Sequence, residues 1–69
     1  MIKLTDKDIQ KEFKTRNGNK VLIHCFIEHN EIYPFGGKTI EEEPMYLNWN
    51  ENGRVFYSEE CDWDLVERL

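Results

Sequence analysis

Apolar and polar residues alternate along most of the chain, and this period of two is typical of β-strands. In the longest such segment, residues 20–27, both faces are mainly apolar: Val21, Ile23, Cys25 and Ile27 share one face, and Leu22, His24 and Phe26 share the other. A strand that is apolar on both faces is usually central in its sheet. We therefore expect residues 20–27 to form a central strand that is covered on both sides.

An Asn-Gly pair at positions 17 and 18 separates this segment from a second one at residues 13–16. Asn-Gly accommodates positive φ at both central positions of a type I′ turn, which joins two antiparallel strands tightly. The sequence therefore predicts a β-hairpin with a two-residue turn.

The remaining predicted strands are shorter. Residues 45–49 alternate like a half-buried strand, and a four-residue loop at 50–53 leads to residues 54–58 as its hairpin partner. Residues 32–35 predict an extended edge piece because Pro34 lacks an amide hydrogen; Gly36-Gly37 is expected to break it, and residues 38–43 to form a charged loop. Residues 63–66 predict a short turn or strand with Leu65 and Val66 on the core.

Thr5 or Asp6 can cap a short helical turn at residues 5–8, with Asp8 near its positive end. The strands number about five and are joined mainly by hairpins. This pattern predicts one small, mainly β domain over residues 1–69, either a curled antiparallel sheet or a partly closed barrel, preceded by a short helical turn or arm.

The length of 69 residues limits what one copy can enclose. A core of this size supplies only roughly 3–5 kcal/mol, which excludes a deep active site within one chain and is compatible with stabilisation by self-association or by a ligand. No apolar run approaches the ~20 residues of a membrane span, and residues 1–6 do not resemble a signal peptide. We therefore expect a cytoplasmic protein without membrane contact, whose Cys25 and Cys61 remain thiols.

The net charge of −5 is unevenly distributed: residues 1–20 carry a balance of +3 and residues 21–69 a balance of −8. A protein that binds duplex nucleic acid normally has a dominant basic surface, so this distribution disfavours that class. It leaves open a small anionic ligand held by a few cations, or an acidic surface that binds a basic protein.

The soft metal ligands lack the spacing of a zinc site; they are His24, Cys25, His29 and Cys61. Cys25 lies in the most apolar segment, where a reactive thiolate is disfavoured. We interpret Asp62 and Asp64 as a turn and a cap rather than as a catalytic pair. Residues 36–39, Gly-Gly-Lys-Thr, match only part of a phosphate-binding loop. We therefore predict no metal, no cofactor and no catalytic residue, and the protein is not expected to be an enzyme.

Nine aromatic residues are numerous for this length. Phe13, Phe26, Trp49 and Phe56 are expected mostly in the core. Nucleobases stack on aromatic rings for about 1–3 kcal/mol each, and arginine binds phosphate in a fork. We therefore predict a nucleotide site formed by Arg16, Tyr33, Lys38, Tyr46, Trp49 and Arg54. One chain is too small to surround such a ligand, so this hypothesis implies a homo-oligomer with the site at a subunit interface.

The order of the short motifs resembles a set of short open reading frames from bacteriophages and prophages. These carry a TRDG-K/R-V-aliphatic hairpin, a YP step, a second DG hairpin and a C-terminal DLV or DLF. The corresponding segments here are Thr-Arg-Asn-Gly at 15–18, Tyr-Pro at 33–34, Asn-Gly at 52–53 and Asp-Leu-Val at 64–66. The resemblance covers most of residues 12–66, with Asn17 in place of the usual aspartate and Phe-Gly-Gly at 35–37 after the Tyr-Pro step.

This resemblance implies a phage accessory protein, and such proteins often act against host defences in the bacterial cytosol. The preferred hypothesis is a non-enzymatic sponge that sequesters a small nucleotide signal, such as a cyclic nucleotide. One alternative is an inhibitor that binds a host defence protein through its acidic and aromatic surface. Another is a small structural interaction protein.

Overall fold

The computed structural model describes residues 2–69, so Met1, the first residue of the predicted domain, lies outside the described residues. A single 3-10 turn spans Asp6–Asp8, and five strands follow: β1 Glu12–Thr15, β2 Lys20–Phe26, β3 Phe35–Thr39, β4 Tyr46–Trp49 and β5 Leu65–Arg68. All pairings are antiparallel, and the strands form one sheet in the order β4-β3-β2-β1-β5. The predicted mainly β class is confirmed, and the sheet is open rather than closed into a barrel.

The core lies on one face of this sheet. Its strand residues include Phe13, Val21, Ile23, Phe35, Trp49 and Leu65, and Ile2 and Leu4 of the N-terminal arm pack with them. The arm is held in place by the backbone N–H of Leu4, which donates to the carbonyl of Glu51 at 2.6 Å. Burial of each large apolar side chain stabilises the fold by about 1.5–3 kcal/mol.

The predicted helical turn near the N-terminus is confirmed. The Thr5 backbone N–H donates to the Asp8 carboxylate at 3.0 Å, and the Thr5 hydroxyl accepts from the Lys7 backbone N–H at 3.3 Å. This reciprocal arrangement is a capping box in which aspartate replaces the usual glutamate. It ends the arm and directs the chain into β1.

The hairpin between β1 and β2 forms, but its turn is not type I′. Gly18 has a φ of +87°, whereas Asn17 has no positive φ. The Gly18 N–H donates to the Thr15 carbonyl at 2.9 Å, and the Thr15 N–H donates to the Asn19 carbonyl at 2.8 Å, which is the pattern of a three-residue loop. The Thr15 hydroxyl hydrogen-bonds the Asn17 side chain and accepts from the Asn19 N–H at 3.1 Å. These bonds favour the longer loop.

The predicted strand break at Gly36-Gly37 is wrong. Both glycines lie inside β3, which is an inner strand, and each pairs with residues of β2 and of β4. A Cβ atom on Gly37 would press against the Leu22 carbonyl oxygen and would lie 2.8 Å from Cζ3 of Trp49. Glycine is therefore required by the close approach of a neighbouring strand and an aromatic ring. Lys38 and Thr39 also belong to this strand, and the charged loop begins only at Ile40.

Strand β2 is central, as predicted, but it is covered on one side only. Val21 and Ile23 are fully buried, whereas Leu22 and His24 on the opposite face are only half-buried. The second face of the sheet carries the aligned cross-strand neighbours Glu12, Leu22, Lys38 and Tyr46. We call it the outer face. Over the described residues, no further strand or helix lies on it.

Residues 54–58 do not form the predicted partner strand of β4. Their backbone donors are bound by side chains instead: the Arg54 N–H by the Asn50 amide oxygen at 3.0 Å and the Val55 N–H by the Asp64 carboxylate at 3.1 Å. The loop at 50–53 does turn as predicted, with the Gly53 N–H donating to the Asn50 carbonyl at 2.9 Å. Strand β4 therefore remains an edge of the sheet.

Two further expectations about the core are only partly right. Leu65 is buried as predicted, but Val66 is exposed. Among the aromatic residues expected in the core, Phe13 and Trp49 are buried, whereas Phe26 and Phe56 are exposed on the surface. No helix among residues 2–69 is long and apolar enough to cross a membrane.

Candidate functional site

Asp64 is the organising residue of a pocket that two arginines line. It is only 2% exposed and ends a tight turn in which its N–H donates to the Cys61 carbonyl at 3.0 Å. One carboxylate oxygen accepts from the Val55 N–H at 3.1 Å, and the other accepts from the Cys61 N–H at 2.9 Å. A buried carboxylate is stable only when it is paired and hydrogen-bonded, and the backbone donors supply part of that requirement.

Arg16 supplies the opposite charge. Its Nη2 lies 3.5 Å from the Asp64 carboxylate, and its Nε donates to the Cys61 carbonyl at 3.3 Å. The Arg16 backbone N–H also donates to the Asp64 carbonyl at 2.9 Å. These bonds join the β1–β2 loop to the turn that precedes β5. About half of the Arg16 side chain remains open to solvent.

Arg54 lies beside this pair. A pocket of about 270 Å³ is lined by the charged residues Arg16, Arg54 and Asp64, together with Ile2, Asn52, Leu65 and Val66. We call it the arginine pocket. Within residues 2–69, the Arg54 guanidinium makes no ion pair, because the ion pairs are Lys3–Glu51, Arg16–Asp64 and Arg68–Asp8. The pocket thus combines one neutralised guanidinium with one whose charge is not balanced by a contact.

Lys38 and Tyr46 are brought together elsewhere, on the outer face. They are directly opposite each other in the pairing of β3 with β4. Tyr46 is 67% exposed and its ring meets that of His24 edge to face, with centroids 6.2 Å apart. Neither residue lines the arginine pocket. The six residues predicted from the sequence therefore do not form one site.

The side chains of Tyr33 and Trp49 both form hydrogen bonds within the fold. The half-buried Tyr33 accepts, through its hydroxyl oxygen, a hydrogen bond from the Tyr57 backbone N–H at 2.8 Å. Trp49 is 0% exposed, and its indole N–H donates to the Trp63 carbonyl at 2.9 Å. No surface of Trp49 is left for a ligand to contact, so it does not belong to the candidate site.

The Gly-Gly-Lys-Thr segment at 36–39 cannot act as a phosphate-binding loop in this fold. Its first two residues are paired on both sides within the sheet, so their backbone groups do not surround an open cavity. Cys25 and Cys61 are free, half-buried thiols. Over the described part of the chain, no three histidine, cysteine or acidic side chains lie close enough together to hold a metal ion.

The sequence pattern predicts a cap at Asp64 and does not reveal its ion-pairing role. The available signal was its position between two large apolar residues, Trp63 and Leu65. A carboxylate at such a place is buried and therefore needs a cationic or backbone partner. That partner, Arg16, is distant in sequence, so its identity depends on the pairing of β1 with β5.

Comparison of the chain with protein-family models, curated proteins and solved structures found no significant match in any of the three.

Proposed function

We propose that this protein is a non-enzymatic binding protein that holds a small phosphate-bearing nucleotide, such as a cyclic nucleotide, in the arginine pocket. The observation that carries the proposal is the placement of Arg54 beside Arg16, with no ion-pair partner for Arg54 within the described residues. A guanidinium binds phosphate oxygens through two parallel hydrogen bonds, and these charge-assisted bonds are about twice as strong as neutral ones.

The size of the pocket supports a site shared between two copies. Its volume of about 270 Å³ is slightly below the range of roughly 300–1,000 Å³ typical of small-molecule sites. Two such pockets facing each other would reach that range. The pocket borders β5, an edge strand whose exposed Val66 lines the rim, so a second copy has access to it. This arrangement favours the homo-oligomer predicted from the sequence.

The proposed setting rests on the order of the sequence motifs. A phage-type accessory protein in the host cytosol would act by lowering the free concentration of a defence signal, and such sequestration needs no reactive group. The ligand should accordingly leave the protein chemically unchanged.

The test is to incubate the purified protein with a panel of cyclic mono- and dinucleotides, denature it by heat and identify the released ligand. Recovery of intact nucleotide that was absent from a mock sample supports sequestration. Release of an altered nucleotide would contradict a non-enzymatic role. Failure of every nucleotide in the panel to bind would contradict the nucleotide hypothesis as a whole.

The site is tested by comparing Arg54→Ala with Lys38→Ala, since both changes remove one positive charge. Loss of the charge-assisted bonds of Arg54 should weaken nucleotide binding tenfold or more, since such bonds contribute about 1.5–3 kcal/mol. Lys38→Ala on the outer face should bind like the unmodified protein. If Lys38→Ala weakened nucleotide binding and Arg54→Ala did not, the site would lie on the outer face instead. For a test of Arg16, substitution by lysine is preferable to substitution by alanine, because lysine keeps a cation near the Asp64 carboxylate.

The shared site is tested by light scattering coupled to size-exclusion chromatography, with and without the bound nucleotide. A dimer or larger symmetric assembly in the bound state agrees with the proposal. A strict monomer in both states would contradict an interfacial site.

A further inference from the structure

A second and larger concavity lies on the other side of the Asn50–Gly53 turn. Its volume is about 560 Å³, and its apolar lining consists of Leu4, Phe26, Ile32, Pro34, Phe35 and Tyr57. We call it the acidic groove, because its charged lining residues are the three carboxylates of Asp6, Glu31 and Glu51. No lysine, arginine or histidine lines it over the described part of the chain.

The walls of the groove are fixed by specific hydrogen bonds. On one side, the Asn30 side-chain oxygen accepts from the Tyr33 N–H at 2.9 Å and from the Ile32 N–H at 3.3 Å. The Ile27 N–H donates to the Pro34 carbonyl at 2.6 Å, which ties this segment to the end of β2. The groove is therefore formed before any partner arrives, and binding need not order its walls.

Three of the apolar side chains around the groove face solvent. Tyr57 is 73% exposed, and Phe26 and Ile32 are about half exposed. Phe26 is held in position by its edge-to-face contact with Phe35, with ring centroids 5.3 Å apart. Contiguous exposed apolar side chains with a polar rim are typical of interaction surfaces. Aromatic residues at such surfaces often supply most of the binding energy.

The charge of the groove decides its occupant. Three carboxylates without a lining cation repel phosphate, so this surface cannot hold the nucleotide proposed for the arginine pocket. They attract a cation, and among the ion pairs formed within residues 2–69 the only one that involves them joins Glu51 to Lys3 at 3.4 Å. An exposed apolar floor beside unpaired carboxylates fits a peptide that places a large apolar side chain next to lysine or arginine.

We infer that the acidic groove docks a basic, apolar peptide segment of another protein. The apolar side chain of that segment packs against Tyr57, Phe26 and Ile32, and its cation lies against Glu31 and Asp6. This interaction uses residues different from those of the arginine pocket. It also supplies a specific surface for the alternative hypothesis, in which the protein is an inhibitor that binds a host defence protein.

The test begins with selection from a random peptide library on the immobilised wild-type protein. Enriched peptides are expected to combine lysine or arginine with a neighbouring aromatic or large aliphatic residue. Their affinity, measured by calorimetry, should fall as the salt concentration rises. Enrichment of acidic or uncharged peptides, or no enrichment at all, would overturn the inference.

Two matched pairs of variants then locate the site. Tyr57→Ser should weaken binding of the selected peptide tenfold or more. Tyr46→Ser removes a similarly exposed tyrosine from the outer face and should leave the affinity unchanged. Glu31→Lys should weaken binding by a similar factor, while Glu42→Lys in the loop between β3 and β4 should act only weakly. If the two variants of each pair bound the peptide with equal affinity, the peptide would bind elsewhere and the inference would be overturned.

A measurement on the wild-type protein avoids any effect of the variants on folding. Amide chemical-shift changes on addition of the selected peptide should cluster at Leu4, Ile32 and Tyr57, with little change at Leu22 or Tyr46. The opposite distribution would contradict the inference. Arg54→Ala should keep full peptide affinity, so failure of the nucleotide hypothesis and failure of this one can be told apart.

Discussion

At the scale of single residues, buried carboxylates determine how the irregular segments are held. Asp64 joins the β1–β2 loop, residue 55 and the turn at 61–64 through its contacts with Arg16, Val55 and Cys61. Asp8 joins the N-terminal turn to β5 through Arg68. Both carboxylates are buried, and both join segments that are distant in sequence. They are therefore the positions where single substitutions should have the largest polar effects on stability.

Asp64→Ala is expected to destabilise the fold by about 2–4 kcal/mol. The substitution leaves two backbone N–H groups without an acceptor and Arg16 without its partner. Urea denaturation followed by far-UV circular dichroism measures the loss. The control is Asp62→Ala, an exposed neighbour in the same turn, which should stay within about 0.5 kcal/mol of the wild type. Equal stability of the two variants would show that the Asp64 contacts do not hold this turn.

Asp8 should make stability depend on pH in the acid range. Burial raises the pKa of the Asp8 carboxyl, but hydrogen bonds from Arg68 and Thr5 and the charges of Arg68 and Lys11 outweigh this, so the net pKa lies below the ordinary 3.8. A group with a lowered folded-state pKa stabilises the fold above its unfolded pKa. That contribution is lost as the pH falls through the folded-state pKa.

The corresponding variant is Asp8→Asn. It should be less stable than the wild type at neutral pH by about 1 kcal/mol, a modest value because the Arg68 side chain is half exposed. The difference should vanish in strong acid, where the wild-type carboxyl is also neutral. Urea midpoints measured over this pH range check the expectation, with the exposed Asp6→Asn as control. A difference that persisted unchanged into strong acid would contradict it.

At the scale of secondary-structure elements, the sequence predicts strands well where alternation and burial coincide. Strands β1, β2 and β4 and the capped N-terminal turn follow their patterns. The sequence pattern does not predict strand β3, because Gly36-Gly37 is typical of a strand break. The reason for the glycine at position 37 lies in residues distant in sequence, since Leu22 and Trp49 leave no room for a side chain there. The residues that neighbour Gly37 in the sequence do not indicate this close approach.

Gly37→Ala tests this explanation. Its Cβ would meet the Leu22 carbonyl, which belongs to the sheet and cannot move alone, so we expect a loss of about 2–3 kcal/mol. Gly36→Ala is the matched control, because the only unusually close approach of its Cβ would be to the Cys25 sulfur at 2.8 Å, and a side chain can rotate away. Thermal unfolding measures both. If Gly36→Ala were the more damaging change, the close approach of Leu22 and Trp49 would not explain the glycine.

The opposite error occurred at residues 54–58. Their composition favours a strand, but Asn50, Asp64 and Tyr33 accept hydrogen bonds from the backbone donors of Arg54, Val55 and Tyr57 respectively. Once side chains satisfy these donors, a ladder with β4 is no longer needed. Such competition depends on tertiary neighbours, so alternation alone could not have revealed it.

At the scale of the whole molecule, the surface carries two concavities whose charged lining residues differ in sign. The arginine pocket and the acidic groove share Asn52 as a lining residue, with the Asn50–Gly53 turn between them. Of the residues predicted from the sequence as ligand contacts, Arg16 and Arg54 do come together in one pocket. Their adjacency follows from the turn at 61–64 and from the loss of the strand at 54–58, neither of which the residue pattern contained.

The hydrogen bond between Trp49 and Trp63 also has a practical consequence. These are the two tryptophans of the chain; one lies at the end of edge strand β4 and the other in the turn that leads into edge strand β5. Their intrinsic fluorescence should therefore report whether strand β4 and the turn that leads into β5 remain in contact. Tryptophan emission should shift to the red when that contact opens. This shift gives an optical signal, without any label, of whether these two parts of the fold are packed together.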